Sequence, residues 1–347
     1  MGYMPIFKLV VNMSLPMIIS MLVQALYNVV DSMFVSRVSE NALTAVSLAF
    51  PAQNLMIGVA TGTAVGVNAL LSKSLGEKNY KRANQIAENG IFLSFIGFLI
   101  FLIFGLFGTE VFFRTQTDIE DIISSGVDYL RVCSCFSFGI FGQIIFERLM
   151  QSTGRTFYTM ITQGVGAIIN IVLDPIFIFG YFGLPAMGAK GAAIATVIGQ
   201  IIAFIIAVIL NKKKNTDIDL KLKEFRPNLK IIGRIYSIGI PSIIMVAVGS
   251  IMTFSINKIV IAFTETAAAV FGVYFKLQSF VFMPLFGMNN GVIPIISFNY
   301  GARNKQRVMK TIGVAILFAL FFMAIGLAAM QILPKELLSI FNASDQM

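Results

Sequence analysis

The 347-residue sequence predicts an all-α polytopic membrane protein, a two-lobed helical bundle built by duplicating a six-helix unit in parallel orientation. Three observations carry that expectation. Hydrophobic residues make up 57% of the chain and charged residues 12%, about half the charge of a soluble domain. Nine apolar stretches are long enough to cross roughly 30 Å of hydrocarbon as helices. Residues 16–82 also match residues 241–307 without a gap when the chain is slid by 225 positions, with 16 of the 67 positions identical.

In chain order the spans fall at 13–36, 47–72, 87–109, 128–150, 157–180, 188–210, 237–263, 270–297 and 308–333. Pro16, Pro175, Pro241, Pro284 and Pro294 lie in or near them; such breaks are tolerated where neighbouring helices or a lined cavity satisfy the freed backbone. The first span follows Lys8 but precedes no small-residue cleavage site and contains Asp31, so it reads as a retained helix and not as a signal peptide.

Charge placement orients the spans. With the N-terminus inside, 19 of the 26 Lys and Arg fall in cytoplasmic segments, including Lys73, Lys78, Lys81 and Arg82, eight between Lys212 and Arg234, and Arg303, Lys305, Arg307 and Lys310. That asymmetry places the N-terminus in the cytoplasm of a multi-pass protein of the cell membrane. The net charge of +9 is then mostly positive-inside bias and calls for no nucleic-acid partner, and Lys212 to Lys214 are expected against anionic headgroups of the bilayer. Cys133 and Cys135, one residue apart in a span, argue against a disulfide framework. With no histidine, imidazole relays and His-ligated metals are excluded.

The repeat pairs Pro16 with Pro241, Glu40 with Glu265, Gly62 with Gly287, Gly66 with Gly291, Gly76 with Gly301, Asn79 with Asn304 and Arg82 with Arg307. Shared hydrophobicity would not align the glycines or the Gly-x-x-Asn-x-x-Arg loops. Six spans separate the two starts, so both copies enter the membrane in the same direction. The organisation read from this is a six-helix lobe over 1–210, a cytoplasmic linker over 211–236 and a partial second lobe of three helices over 237–347. The counterparts of spans four to six are missing from the second copy, so about nine of an expected twelve helices are present; a fragment of a twelve-helix protein is favoured over a truncated second bundle.

Gln24, Asn28 and Asp31 fall at i, i+4 and i+7 and share one helix stripe. An ionised carboxylate at bilayer depth costs several kcal/mol unless it meets a wet cavity or a partner. Asn170 and Asp174, at i and i+4, share a face of span five. Counting at 1.5 Å per residue, Asp31, Asp174 and Thr196 lie at one depth, about 9 Å below the outer ends. Two carboxylates in a low-dielectric site do not both ionise freely without a cation between them, so these oxygens are expected to form one exchangeable site for H⁺ or Na⁺. Structural alternatives stand beside that: Asp31 paired with Arg37, Asp174 capping a helix break before Pro175, and Asn170 and Thr196 bonding backbone carbonyls across helices. Glu147 and Arg148, near the inner end of span four, read as a solvated pair.

Several motifs together resemble the multidrug and toxic compound extrusion (MATE) transporters: Ser14-Leu-Pro16, Gln24-Ala-Leu-Tyr-Asn28-Val-Val-Asp31, Ala49-Phe-Pro51, Gly62-Thr-Ala-Val-Gly66-Val-Asn68, Leu75-Gly76-Glu77, Gln151-Ser-Thr-Gly154, Asn170-Ile-Val-Leu-Asp174-Pro175 and Gly191-Ala-Ala-Ile-Ala-Thr196. The resemblance runs over essentially the whole chain and is closest to bacterial members. It implies two six-helix lobes, alternating access, and export of organic cations driven by inward Na⁺ or H⁺, with no cofactor and no metal beyond a coupling Na⁺. It further implies that Asp31, Asn170, Asp174 and Thr196 line the cation cavity of the first lobe. Asp31 maps to Ile256 in the second copy and span seven holds no acid, so the chain looks more like members whose coupling site is confined to the first lobe.

Thirty-three Phe and 18 Met give deformable walls suited to varied flat cations. Tyr27, one turn from Asp31, and Asn28 on the same stripe are the expected substrate contacts, in a protein expected to act as a monomer. Lys258 and Lys276 are snorkelling or pathway residues. A flippase for lipid-linked or polysaccharide precursors is the nearest alternative and should show a large basic cavity. An integral membrane enzyme is disfavoured for want of a metal-ligand cluster or Gly-rich phosphate loop. A chain left inert by its incomplete second lobe is the remaining possibility.

Overall fold

Each predicted span is matched by helix. The computed structural model describes residues 1–221, 225–261 and 265–333, and among them every regular element is helical. The helices are α1 (Ile6–Ser36), α2 (Glu40–Gly76), α3 (Tyr80–Ile103), α4 (Thr109–Arg114), α5 (Glu120–Cys135), α6 (Phe138–Ser152), α7 (Thr156–Phe179), α8 (Gly188–Lys214), α9 (Leu229–Ile261), α10 (Glu265–Gly301) and α11 (Lys305–Ile332). Eight helices among the described residues are individually long and apolar enough to cross a membrane, and the bent pair α5 and α6 makes a ninth span. The chain is a multi-pass membrane protein. The side chains of Lys258, Glu265 and Lys276 fall outside those the structure describes.

Several helices overrun the apolar stretches that announce them, and three of them, α2, α3 and α11, begin at a side-chain cap. α2 begins at Glu40 instead of 47 because Ser39 accepts a hydrogen bond from the Ala42 backbone N–H at 3.0 Å, satisfying one of the four free donors of the first turn. The expected fourth span is two helices bent by 44°. α7 continues through Pro175 to Phe179, so Asp174 caps no break. The segment between α8 and α9 is held against α3: Asn84, Glu88 and Asn89 accept hydrogen bonds from the backbone N–H groups of Asp219, Lys221 and Asn228.

The sequence repeat reappears as geometry. Lys78 and Arg303, 225 positions apart, both adopt left-handed backbone, with φ of 58° and 55°. Their neighbours Asn79 and Asn304 each cap the following helix, accepting from the N–H of Arg82 and Arg307 at 3.1 Å. Between the copies α1 packs on α10 and α2 on α9, with α2 and α10 crossing between them. A Cβ placed on Gly76 would collide with the Phe298 carbonyl, and one on Gly301 with the Lys73 carbonyl; Phe298 and Lys73 are themselves repeat counterparts. Gly62 against Ile243 and Gly287 against Ile18 repeat the same reciprocity. These close crossings run from mid-helix to the end of the bundle that carries the Lys and Arg clusters, where α2 and α10 meet backbone to backbone as small residues permit.

Candidate cation site

Five helices meet around one cavity, α2 contributing Ile57 and Thr61. α1 contributes Ser20, Gln24 and Tyr27; α6 contributes Gln143, Glu147 and Arg148; α7 contributes Gln163 and Asn170; α8 contributes Thr196 and Gln200. The polar side chains arrive at helical spacings, Gln163 and Asn170 two turns apart on α7 and Gln143 and Glu147 one turn apart on α6.

Asn170, Asp174 and Thr196 are brought together. The Asn170 amide is best satisfied with its nitrogen donating to Asp174 Oδ2 at 3.2 Å and its oxygen accepting from both the hydroxyl and the backbone N–H of Thr196 at 3.1 Å. Asn170 and Asp174 are buried, with 3% and 0% exposure. Asp31 lies on α1, which packs along α7. No ion pair joins Asp31 to Arg37 among the described residues. Instead the Oδ1 of Asp31 is buried without a hydrogen-bond donor, an arrangement that costs about 1–3 kcal/mol or more for a charged group unless a proton, cation or water meets it. Asn28 is exposed and Tyr27 half-buried. Gln53 on α2 donates to Tyr129 Oη at 3.1 Å and to Cys133 Sγ at 3.4 Å, so one of the two free cysteines belongs to a polar cluster.

Glu147 and Arg148 are not a solvated pair. They are 2% and 7% exposed. Glu147 accepts from Gln143 Nε2 at 2.9 Å, Thr162 Oγ1 at 2.9 Å and Gln163 Nε2 at 2.7 Å. Arg148 Nη1 turns away and donates to Gln151 Oε1 at 2.7 Å and to Asn290 Oδ1 of the second copy at 2.9 Å. The signal available in the sequence was the helical spacing of Gln143 with Glu147 and the Gln at 163 two turns before Asn170; proximity to the span's end outweighed it.

Known proteins agree with this architecture. The multidrug export protein MepA of Staphylococcus haemolyticus is 25% identical over 342 residues, covering 98% of this chain and 75% of that protein. A transporter of the MOP superfamily from Pyrococcus furiosus Vc1, described as having a binding pocket of reverse polarity, superposes with a TM-score of 0.91 at 28% identity, covering 99% of this chain and 75% of that one. An outward-facing multidrug resistance MATE family transporter superposes with a TM-score of 0.91 at 28% identity over 97% of this chain and 74% of that one. The MatE family model matches residues 16–176 and 241–347, both copies of the repeat, and the chain belongs to the MATE multidrug efflux transporter family.

Proposed function

We infer that this chain exports organic cations in exchange for inward H⁺ or Na⁺ by alternating access, with Asp31, Asn170, Asp174 and Thr196 holding the coupling ion. The single observation that carries this reading is the buried, donorless oxygen of Asp31 on α1, which packs against the helix carrying the hydrogen-bonded Asn170 and Asp174. A carboxylate pair with amide and hydroxyl oxygens suits either ion. The relatives' description as multidrug exporters supports the substrate class, and Tyr27 and Asn28 are the proposed contacts. Residues 1–210 and 237–347 act as the two lobes, the N-terminus is cytoplasmic, and the sealed basic end is the closed cytoplasmic gate of an outward-facing state. The protein works as a monomer, without a cofactor.

A flippase of anionic lipid-linked precursors requires a basic cavity. Among the described residues lining the cavity the one cation is Arg148, and its guanidinium is tied to Gln151 and Asn290. Energised ethidium efflux from cells expressing the chain tests the export reading. Efflux in the wild type that vanishes in Asp31→Asn supports it; wild-type efflux in that variant sinks the role of Asp31.

A further inference from the structure

Among the described residues lining the cavity the one carboxylate is Glu147, and the export reading above does not use it. Glu147 lies at the basic end of the same cavity, about 10 Å along α7 from Asn170, the distance between Gln163 and Asn170 at two helical turns. We propose that Glu147, with Gln143, Thr162 and Gln163, is a proton-exchange site that loads and releases the coupling proton on the side of the membrane facing the basic end.

The partners of Glu147 suit a group that gains and loses a proton. Gln143 and Gln163 donate amide hydrogens to Glu147, and the Thr162 hydroxyl shares its one hydrogen between Glu147 at 2.9 Å and the Thr159 carbonyl at 2.8 Å, an arrangement that supports an ionised carboxylate. The neutral form is equally provided for. Gln163 Oε1 is buried and accepts no hydrogen bond, so a half-turn of that amide presents an acceptor to a protonated Glu147 in place of the donor. A carboxyl with hydrogen-bond partners in both charge states, buried and opening on a cavity, can change protonation without leaving either form stranded. The charged group acting on Glu147 is Arg148, whose guanidinium is turned toward Asn290 of the second copy. The two faces of one helical turn therefore place the carboxyl and the lobe-bridging cation side by side, and a change of charge at Glu147 acts on the residue that helps seal the basic end.

Its role in antiport rests on the export reading, but its protonation does not, and the test separates them. Infrared difference spectra of the full chain in lipid nanodiscs, recorded across a pH titration, read the C=O stretch of protonated carboxyls. Wild type is expected to show a band that Glu147→Gln removes and that the Asp31→Asn/Asp174→Asn double variant retains. A folded Glu147→Gln variant with the wild-type spectrum overturns the proposal. Should that variant not fold, Gln143→Leu serves instead: with one donor to the carboxylate gone, the band is expected to persist at a pH where the wild type has lost it, and an undisplaced band overturns the proposal. An intact Glu147 band in a chain that exports no dye would refute export while leaving the proton site in place.

Discussion

Asn170 on α7 and Thr196 on α8 meet at 3.1 Å, and the same Asn170 amide reaches Asp174 one turn further along its own helix at 3.2 Å. One side chain thus ties two helices and orients a carboxylate. Asn170→Ala leaves the buried Asp174 short of a donor, a loss of about 1–3 kcal/mol, equivalent to roughly 5- to 150-fold weaker coupling between cation and substrate. Export rate measured against coupling-ion concentration should shift by that factor, with Thr196→Val shifting it in the same direction. An unshifted dependence in Asn170→Ala would detach the amide from the cation site.

The reciprocal glycine contacts lie at the basic end, proposed above as a closed gate, and a side chain placed there should wedge it. In Gly76→Leu the new atoms meet the Phe298 carbonyl, and overpacking of this kind costs about 1–3 kcal/mol. The sealed state would lose population by roughly 5- to 150-fold relative to the open one. Ser14 is 3% exposed at the crossing with Gly291, so Ser14→Cys in a background lacking Cys133 and Cys135 reports the opening. A membrane-impermeant thiol reagent applied from the basic side should label it slowly in the parent and faster by that factor with Gly76→Leu. Gly301→Leu, at the symmetric contact, should behave alike. Equal labelling rates would show that the seal does not depend on these approaches.

Arg148 bridges the copies through Asn290. Hydrogen bonds to charged groups contribute about 1.5–3 kcal/mol. A double-mutant cycle of Arg148→Met and Asn290→Leu, read by thermal unfolding in nanodiscs, should return a coupling energy of that order. Additive single effects would mean that the contact contributes nothing to joining the copies.

Asn79 and Asn304 cap α3 and α11 in the same way. Asn79→Ala and Asn304→Ala should each cost about 1 kcal/mol, seen as a lower unfolding midpoint, while Asn→Asp at either position retains the cap. A variant pair in which only one cap matters would show that the repeat's geometry outlasts its energetic symmetry.

Much of the architecture was legible before the structure because it is written in composition and period. Membrane-length apolar runs announce helices whatever their packing, and the 225-residue offset aligned Gly76 with Gly301 and Asn79 with Asn304. Asp31, Asn170, Asp174 and Thr196 stood out because polar groups at bilayer depth are costly, and Asp31, Asp174 and Thr196 because helix rise alone puts them at one level. Three things were not legible. Glu147 lies near a span's end, where a carboxylate is ordinarily solvated, and its burial comes from Thr162 and Gln163 on the next helix. The bend at Phe136 and Ser137 lies inside an apolar run with no proline to mark it. The repeated glycines were visible as identities, but their pressing on the other copy's carbonyls is a tertiary fact that no single copy contains.

The central claim is that substrate and coupling ion compete through the site built on Asp31 and Asp174. It is tested most directly by following cation release from the purified chain in nanodiscs as ethidium is added, with H⁺ read by a pH-sensitive dye under weak buffering and Na⁺ by a selective electrode. Wild type should release H⁺ or Na⁺ in proportion to the ethidium bound, and the Asp31→Asn/Asp174→Asn double variant should bind ethidium without that release. Undiminished release from the double variant, or full binding by the wild type with no release of either ion, would contradict the claim.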